Sequence, residues 1–138
     1  MGKISGPLLD RIDIHVEVPA VKYNELSTRR AGESSRSIRD RVIKARDIQV
    51  RRFAGMKGLF SNADMETKEI KEFCGIDDSG AELLKMAMTK LGLSARAYDR
   101  ILKVSRSIAD LAGIESIRSE HLSEAIQYRS LDRNFYAV

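Results

Sequence analysis

With 138 residues, 43% hydrophobic and 32% charged, the chain can bury a real core and form one ordinary domain with a fragment of a second. Only two prolines, nine glycines and no tryptophan argue for long helices and against a sandwich of many turns. The net charge of +4 would help contact with an anionic polymer or nucleotide, though composition alone favours a solvated surface of mixed charge, and the single cysteine, Cys74, excludes an internal disulfide.

Ile12, Ile14, Val16 and Val18 alternate with Asp13, His15 and Glu17, the period of a half-buried strand, and Pro19 ends it. This places His15 on the outward face. Residues 19–33 read as a connector, mobile at 27–32, with Tyr23 and Leu26 placed to pin it to a neighbour. Ser34 or Ser35 then caps a long helix to about Phe53, with Ile38, Val42, Ala45, Gln49 and Phe53 on its inward face and Ile43 and Val50 on a weaker second stripe. Gly55 and Gly58 follow its end.

Residues 59–65 read as a loop, and a short helix spans about Thr67 to Phe73. The capping-box pattern Ser79-Gly80-Ala81-Glu82 opens another helix, burying Leu83, Leu84, Ala87 and Leu91 and closing at Gly92. Ser94 caps a helix over 95–112 with Tyr98, Ile101, Leu102, Ser105, Ile108, Ala109 and Ala112 as its core stripe and Gly113 as its stop. Ser119 caps a last helix to about Tyr128, with Leu122, Ala125 and Ile126 inward. The expected fold is mainly α: a bundle of about five helices preceded by a short strand.

No signal peptide and no apolar run near the ~18 residues of a membrane helix is present, so a cytoplasmic chain is expected. No phosphate loop is present, since the only Gly-Lys pair, Gly2-Lys3, is followed by Ile4 where a hydroxyl belongs. His15 and His121 are too sparse for a metal site or a triad, and Cys74 reads as a small hydrophobe.

Three sets of basic residues remain. Arg11 lies between Asp10 and Asp13, where it either forms a local ion pair or offers its planar fork to two phosphate oxygens. Arg96 falls in the first turn after Ser94, where a cation opposes the helix dipole at a cost of about 0.3–1 kcal/mol. With Arg100 and Lys103 it forms a basic stripe expected to point away from the bundle core, beside a helix N-terminus that attracts anions. The third set, Arg29, Arg30, Arg36, Arg39, Arg41, Lys44, Arg46, Arg51 and Arg52, is interrupted by Asp40 and Asp47 and reads best as a solvated helix face.

Three stretches carry a family resemblance. Ser5–Pro19, reading S-G-P-L-L-D-R-I-D-I-H-V-E-V-P, resembles the end of the ATPase core in magnesium-chelatase-like AAA+ proteins of the ComM/YifB type. Leu93–Leu111, opening L-S-A-R-A-Y-D-R, is similar to that family's lid helix, and His121–Arg129 to its closing helix. The resemblance implies that residues 1–24 end an AAA+ core, the strand being a remnant of it, and that 25–138 form the helical lid. Separated from its sheet, the strand is expected to be disordered or packed in a non-native way.

The resemblance further implies that Arg11 is the finger reaching a neighbouring subunit's ATP, that Arg96 is the second sensor at the phosphates of its own subunit's ATP, and that Arg100 is a weaker contact there. ATP and magnesium would be cofactors of the full-length protein, with none held tightly by this chain alone. Its partners would be its own core, neighbouring subunits of a ring and DNA, with no membrane. The alternative is an independent basic helical module that binds nucleic acid or a partner protein.

Overall fold

The computed structural model describes residues 5–27 and 32–129, with the side chains of residues 25 and 27 left out of the description. The expected mobile connector end, including Arg29 and Arg30, lies largely outside those residues. The elements are α1 (Gly6–Asp10), α2 (Tyr23–Ser27), α3 (Ser35–Arg52), a 3-10 turn (Asn62–Asp64), α4 (Thr67–Phe73), α5 (Asp78–Leu91), α6 (Ala95–Ala112) and α7 (Ser119–Gln127). Helices α3–α7 form the expected bundle of five. No described helix is long and apolar enough to cross a membrane.

The central element is α6, which packs against α3, α4, α7 and the 3-10 turn, while α5 packs on α7. Its stripe buries Ile101, Leu102, Ser105 and Ala109 against Phe53, Met65, Ile70, Leu84, Ile117 and Leu122. Phe53 meets the Phe73 ring edge-on, with centroids 5.5 Å apart. Ser94 Oγ accepts the Ala97 N–H at 3.2 Å and caps α6. Gly113 ends it in the left-handed region at φ 69°, a conformation that costs a residue with a Cβ.

Several expectations are corrected. Among the described residues there is no strand: 12–18 runs irregularly, and Ile12, Ile14, Val16 and Val18 are all exposed. The alternation signals burial against a sheet, and no described segment offers a ladder; the backbone instead turns inward at His15, whose N–H donates to Tyr128 O at 2.7 Å. His15 is therefore buried rather than outward, with its Nε2 3.1 Å from Leu9 O.

Asp77, not Ser79, caps α5, its carboxylate accepting the Gly80 N–H at 2.7 Å, and Ser79 lies inside the helix. Arg118 holds the N-cap position of α7 where Ser119 was expected, and its N–H donates to His121 Nδ1 at 2.9 Å. The inward set on α3 shrinks to Ala45, Gln49 and Phe53, because α6 covers only its C-terminal half; Ile38 and Val42 are exposed. Tyr98 and Ala112 likewise stay exposed on α6, as do Tyr23 and Leu26 on α2.

Gly80 allows α5 and α7 to approach. A Cβ there would stand 2.8 Å from Leu122 Cδ1, 3.2 Å from Asp77 Oδ1 and 3.3 Å from Ile76 Cβ. Helix propensity alone favours Ala over Gly by about 1 kcal/mol, but overpacking a buried contact costs about 1–3 kcal/mol. Gly80→Ala should therefore lower the thermal midpoint, and a raised midpoint would contradict this packing.

Cys74 is buried in the core, and burial pushes its thiol from 9.0 up to about 11. Native protein should react with iodoacetamide at pH 8 far more slowly than protein in denaturant. Because the fold disfavours the thiolate, stability should fall as pH rises from about 9 through 11.

Candidate functional site

The polar groups of α6 divide between its two ends. At the C-terminal end, the buried Asp110 carboxylate receives a bidentate pair from Arg52 of α3, at 2.7 and 2.8 Å. Asn62 of the 3-10 turn donates to the same carboxylate at 2.9 Å, and its other contacts run to Ser107 Oγ and to Arg52. Gln49 accepts the Asn62 N–H at 3.0 Å. Arg106, one turn before Asp110, lies 3.3 Å from it and donates to Glu115 O at 2.7 Å and Ile114 O at 3.0 Å. Burial pulls the Arg106 guanidinium below the usual arginine value, and Asp110 opposes that shift. These groups are structural, and the sequence reading missed them, placing Arg52 on a solvated face. The i,i+4 spacing of Arg106 and Asp110 on the stripe side of α6 is the signal that was available.

At the N-terminal end lie the predicted site residues. Arg96 occupies the first turn of α6, exposed, with no acidic residue in that turn to offset its opposition to the dipole. Arg100, one turn on, is ion-paired with Asp13. Lys103 donates to Ala63 O at 3.2 Å. The expected outward stripe is thus corrected in two of its three members: Arg100 and Lys103 hold other segments, and of the three only Arg96 projects with no side-chain partner among the described residues.

Arg11 follows α1 directly and is exposed. The local ion pair with a flanking aspartate, one of its two readings, is absent among the described residues, because both aspartates face other arginines. Asp13 pairs with Arg100, and Asp10 Oδ1 lies 4.0 Å from Arg129 Nη2. The Asp13–Arg100 pair brings the segment carrying Arg11 onto the helix carrying Arg96. Between that segment, α6 and α7 runs a largely apolar groove of ≈450 Å³, lined by Asp13, Ile14, Val16, Lys103, Leu111 and Tyr128 among others.

The third basic set stays mostly solvated. Arg36, Arg39, Lys44, Arg46 and Arg51 are exposed along α3, and Arg41 pairs with Glu33, which holds that carboxyl below the usual range.

Residues 32–129 match the family model described as magnesium chelatase, subunit ChlI C-terminal, and residues 1–26 match that of magnesium chelatase, subunit ChlI. The chain is 45% identical over 134 residues to the competence protein ComM of Haemophilus influenzae, covering 96% of this chain and 25% of that protein. It is 41% identical to the uncharacterized protein YifB of Salmonella typhimurium and 40% identical to YifB of Escherichia coli, covering 96% of this chain and 26% of each. It therefore spans about a quarter of the length of the curated relatives it matches. With the family model covering most of the helical bundle and these relatives aligned along nearly the whole chain, the protein belongs to the magnesium chelatase ChlI C-terminal family.

Proposed function

We propose that this chain is the nucleotide-sensing lid of an AAA+ ring ATPase of the ComM/YifB type, with residues 1–24 ending the ATPase core and 25–138 forming the lid. The observation that carries the reading is local: of the arginines on α6 and around the turn 10–13, Arg100, Arg106 and Arg129 are spent on carboxylates and carbonyls, while Arg11 and Arg96 extend into solvent. An exposed guanidinium keeps its fork available for two phosphate oxygens.

Bound ATP would supply the phosphoryl group that is transferred, and magnesium would be held by residues outside this chain. Arg96 would contact the γ-phosphate of its own subunit's ATP, helped by the N–H groups at the start of α6. Arg11 would reach the ATP of the adjacent subunit and stabilise charge as it develops there, an effect worth about 10³–10⁵ in rate for a trans-acting arginine. Arg100 would reach phosphate only by exchanging Asp13 for it, which makes it a secondary contact. When Arg96 loses the γ-phosphate, the lid, with the Arg11 turn fastened to it, would shift against the rest of the core and pass force around the ring. We assign DNA as the polymer on which the full-length motor acts.

The second reading, an independent nucleic-acid-binding module, draws on the N-terminal half of α3, where Arg36 and Arg39 lie exposed beside Ile38, Val42 and Ile43. Tight binding of DNA by the isolated chain, with a steep salt dependence, would favour it.

Arg96→Ala in the full-length protein should change folding stability by less than about 0.5 kcal/mol, as for other exposed positions, and reduce ATP turnover at least tenfold. Unchanged turnover contradicts the sensor role. Arg11→Ala should also be inactive alone, yet mixing it with a phosphate-loop variant should restore part of the activity. One pairing of the two subunits then joins an intact phosphate loop to an intact finger. Absence of any recovery in mixed rings contradicts a finger acting in trans.

A further inference from the structure

The side chain of Arg129, directly after α7, is completely buried. A buried guanidinium is costly unless its donors are met, so its partners show what the charge is there to hold. Its partners among the described residues cluster around Arg11. Nη1 donates to Ile12 O at 2.5 Å and lies 3.5 Å from Asp13 O, and Nη2 donates to Asp10 O at 3.2 Å with the Asp10 carboxylate 4.0 Å away. The guanidinium thus occupies the inner side of the turn 10–13 while Arg11 points outward.

Two further bonds close the same turn. Tyr128, the neighbour of Arg129, accepts the His15 N–H at 2.7 Å, and His15 Nε2 lies 3.1 Å from Leu9 O. Asp13 adds the tie to Arg100 on α6.

The geometry points to Arg129 as the positioning residue for Arg11: its planar fork, delivered by the last lid helix, shapes and anchors the turn that presents the finger. This rests on the finger reading of Arg11 and adds a regulation to it. The lid that carries the sensor Arg96 would also hold the finger for the next subunit, so a change of lid position at one nucleotide would move the arginine serving another. A lysine cannot span the Ile12 and Asp10 carbonyls with one ammonium as the fork does with two Nη groups.

The test uses Arg129→Lys in the full-length assembled protein, with hydrogen exchange and turnover read together. The His15 amide should exchange at least tenfold faster, while the Ala109 amide inside α6 stays within twofold of the parent. Unchanged exchange at His15 overturns the anchor, and loss of protection at both amides overturns it in favour of a general structural role.

In turnover, kcat should fall at least tenfold with KM for ATP within twofold. Mixing with a phosphate-loop variant should restore activity as it does for Arg11→Ala, because the Arg129→Lys subunit keeps its own phosphate loop and Arg96 and lacks only a well-placed finger. Failure of recovery for Arg129→Lys where Arg11→Ala recovers overturns the positioning role. Failure for both variants counts against the finger reading itself, and the His15 exchange then decides the anchor alone.

Discussion

The architecture depends on the buried carboxylate of Asp110. Arg52 from α3, Arg106 from α6 and Asn62 from the 3-10 turn all converge on it, and Arg106 goes on to hold the carbonyls of Ile114 and Glu115 that lead into α7. Three elements, α3, the 3-10 turn and α6, therefore meet at one charge. Removing one member of such a group leaves the others buried and uncompensated, at a typical cost of about 3–5 kcal/mol, far more than an exposed pair is worth. The network sets where α6 lies, and the start of α6 is where Arg96 projects.

The opening segment is held by the same logic on a smaller scale. It has no sheet to join among the described residues, and its apolar residues at 12, 14, 16 and 18 stay exposed. It is nevertheless fastened, through the carbonyls that Arg129 gathers and through Asp13 on Arg100. Charges that compete for Arg11 are thereby removed. The two aspartates that flank it in sequence face other arginines, so a residue that would ordinarily pair with its neighbours extends into solvent. In the proposed motor this links sensing and catalysis: the helix bearing one arginine and the turn bearing the other are tied by a direct ion pair.

The bundle was legible because its signals are local. Ser34 and Ser94 cap their helices and Gly92 and Gly113 close theirs, as hydroxyl and glycine chemistry predict. The stripe of Ile101, Leu102, Ser105 and Ala109 follows helical period and is buried. The failures come from tertiary context. Period-two alternation over 12–18 says what the segment would do beside a sheet and cannot say whether one is present. At α5, Asp77 and Ser79 both suit a cap, and the carboxylate that begins the helix earlier took the position. Arg52 read as a solvated cation, and Arg106 and Arg129 drew no reading of their own, because pattern alone cannot tell which arginine will meet a buried acceptor, and the partners lie up to 119 residues away. Arg11 and Arg96 were legible as candidates, but the fate of Asp10 and Asp13, which leaves Arg11 without them, was visible only in the fold.

The proposed motor requires that the turn bearing Arg11 and the lid form one body in the working protein. The most direct measurement of this is the spin-label distance distribution between cysteines substituted at the exposed positions Leu8 and Met86 of the full-length protein, with and without ATP. A single narrow distribution that does not move with nucleotide is predicted. A broad distribution, or one that shifts when ATP binds, would contradict the account by showing that the turn bearing Arg11 travels with something other than the lid.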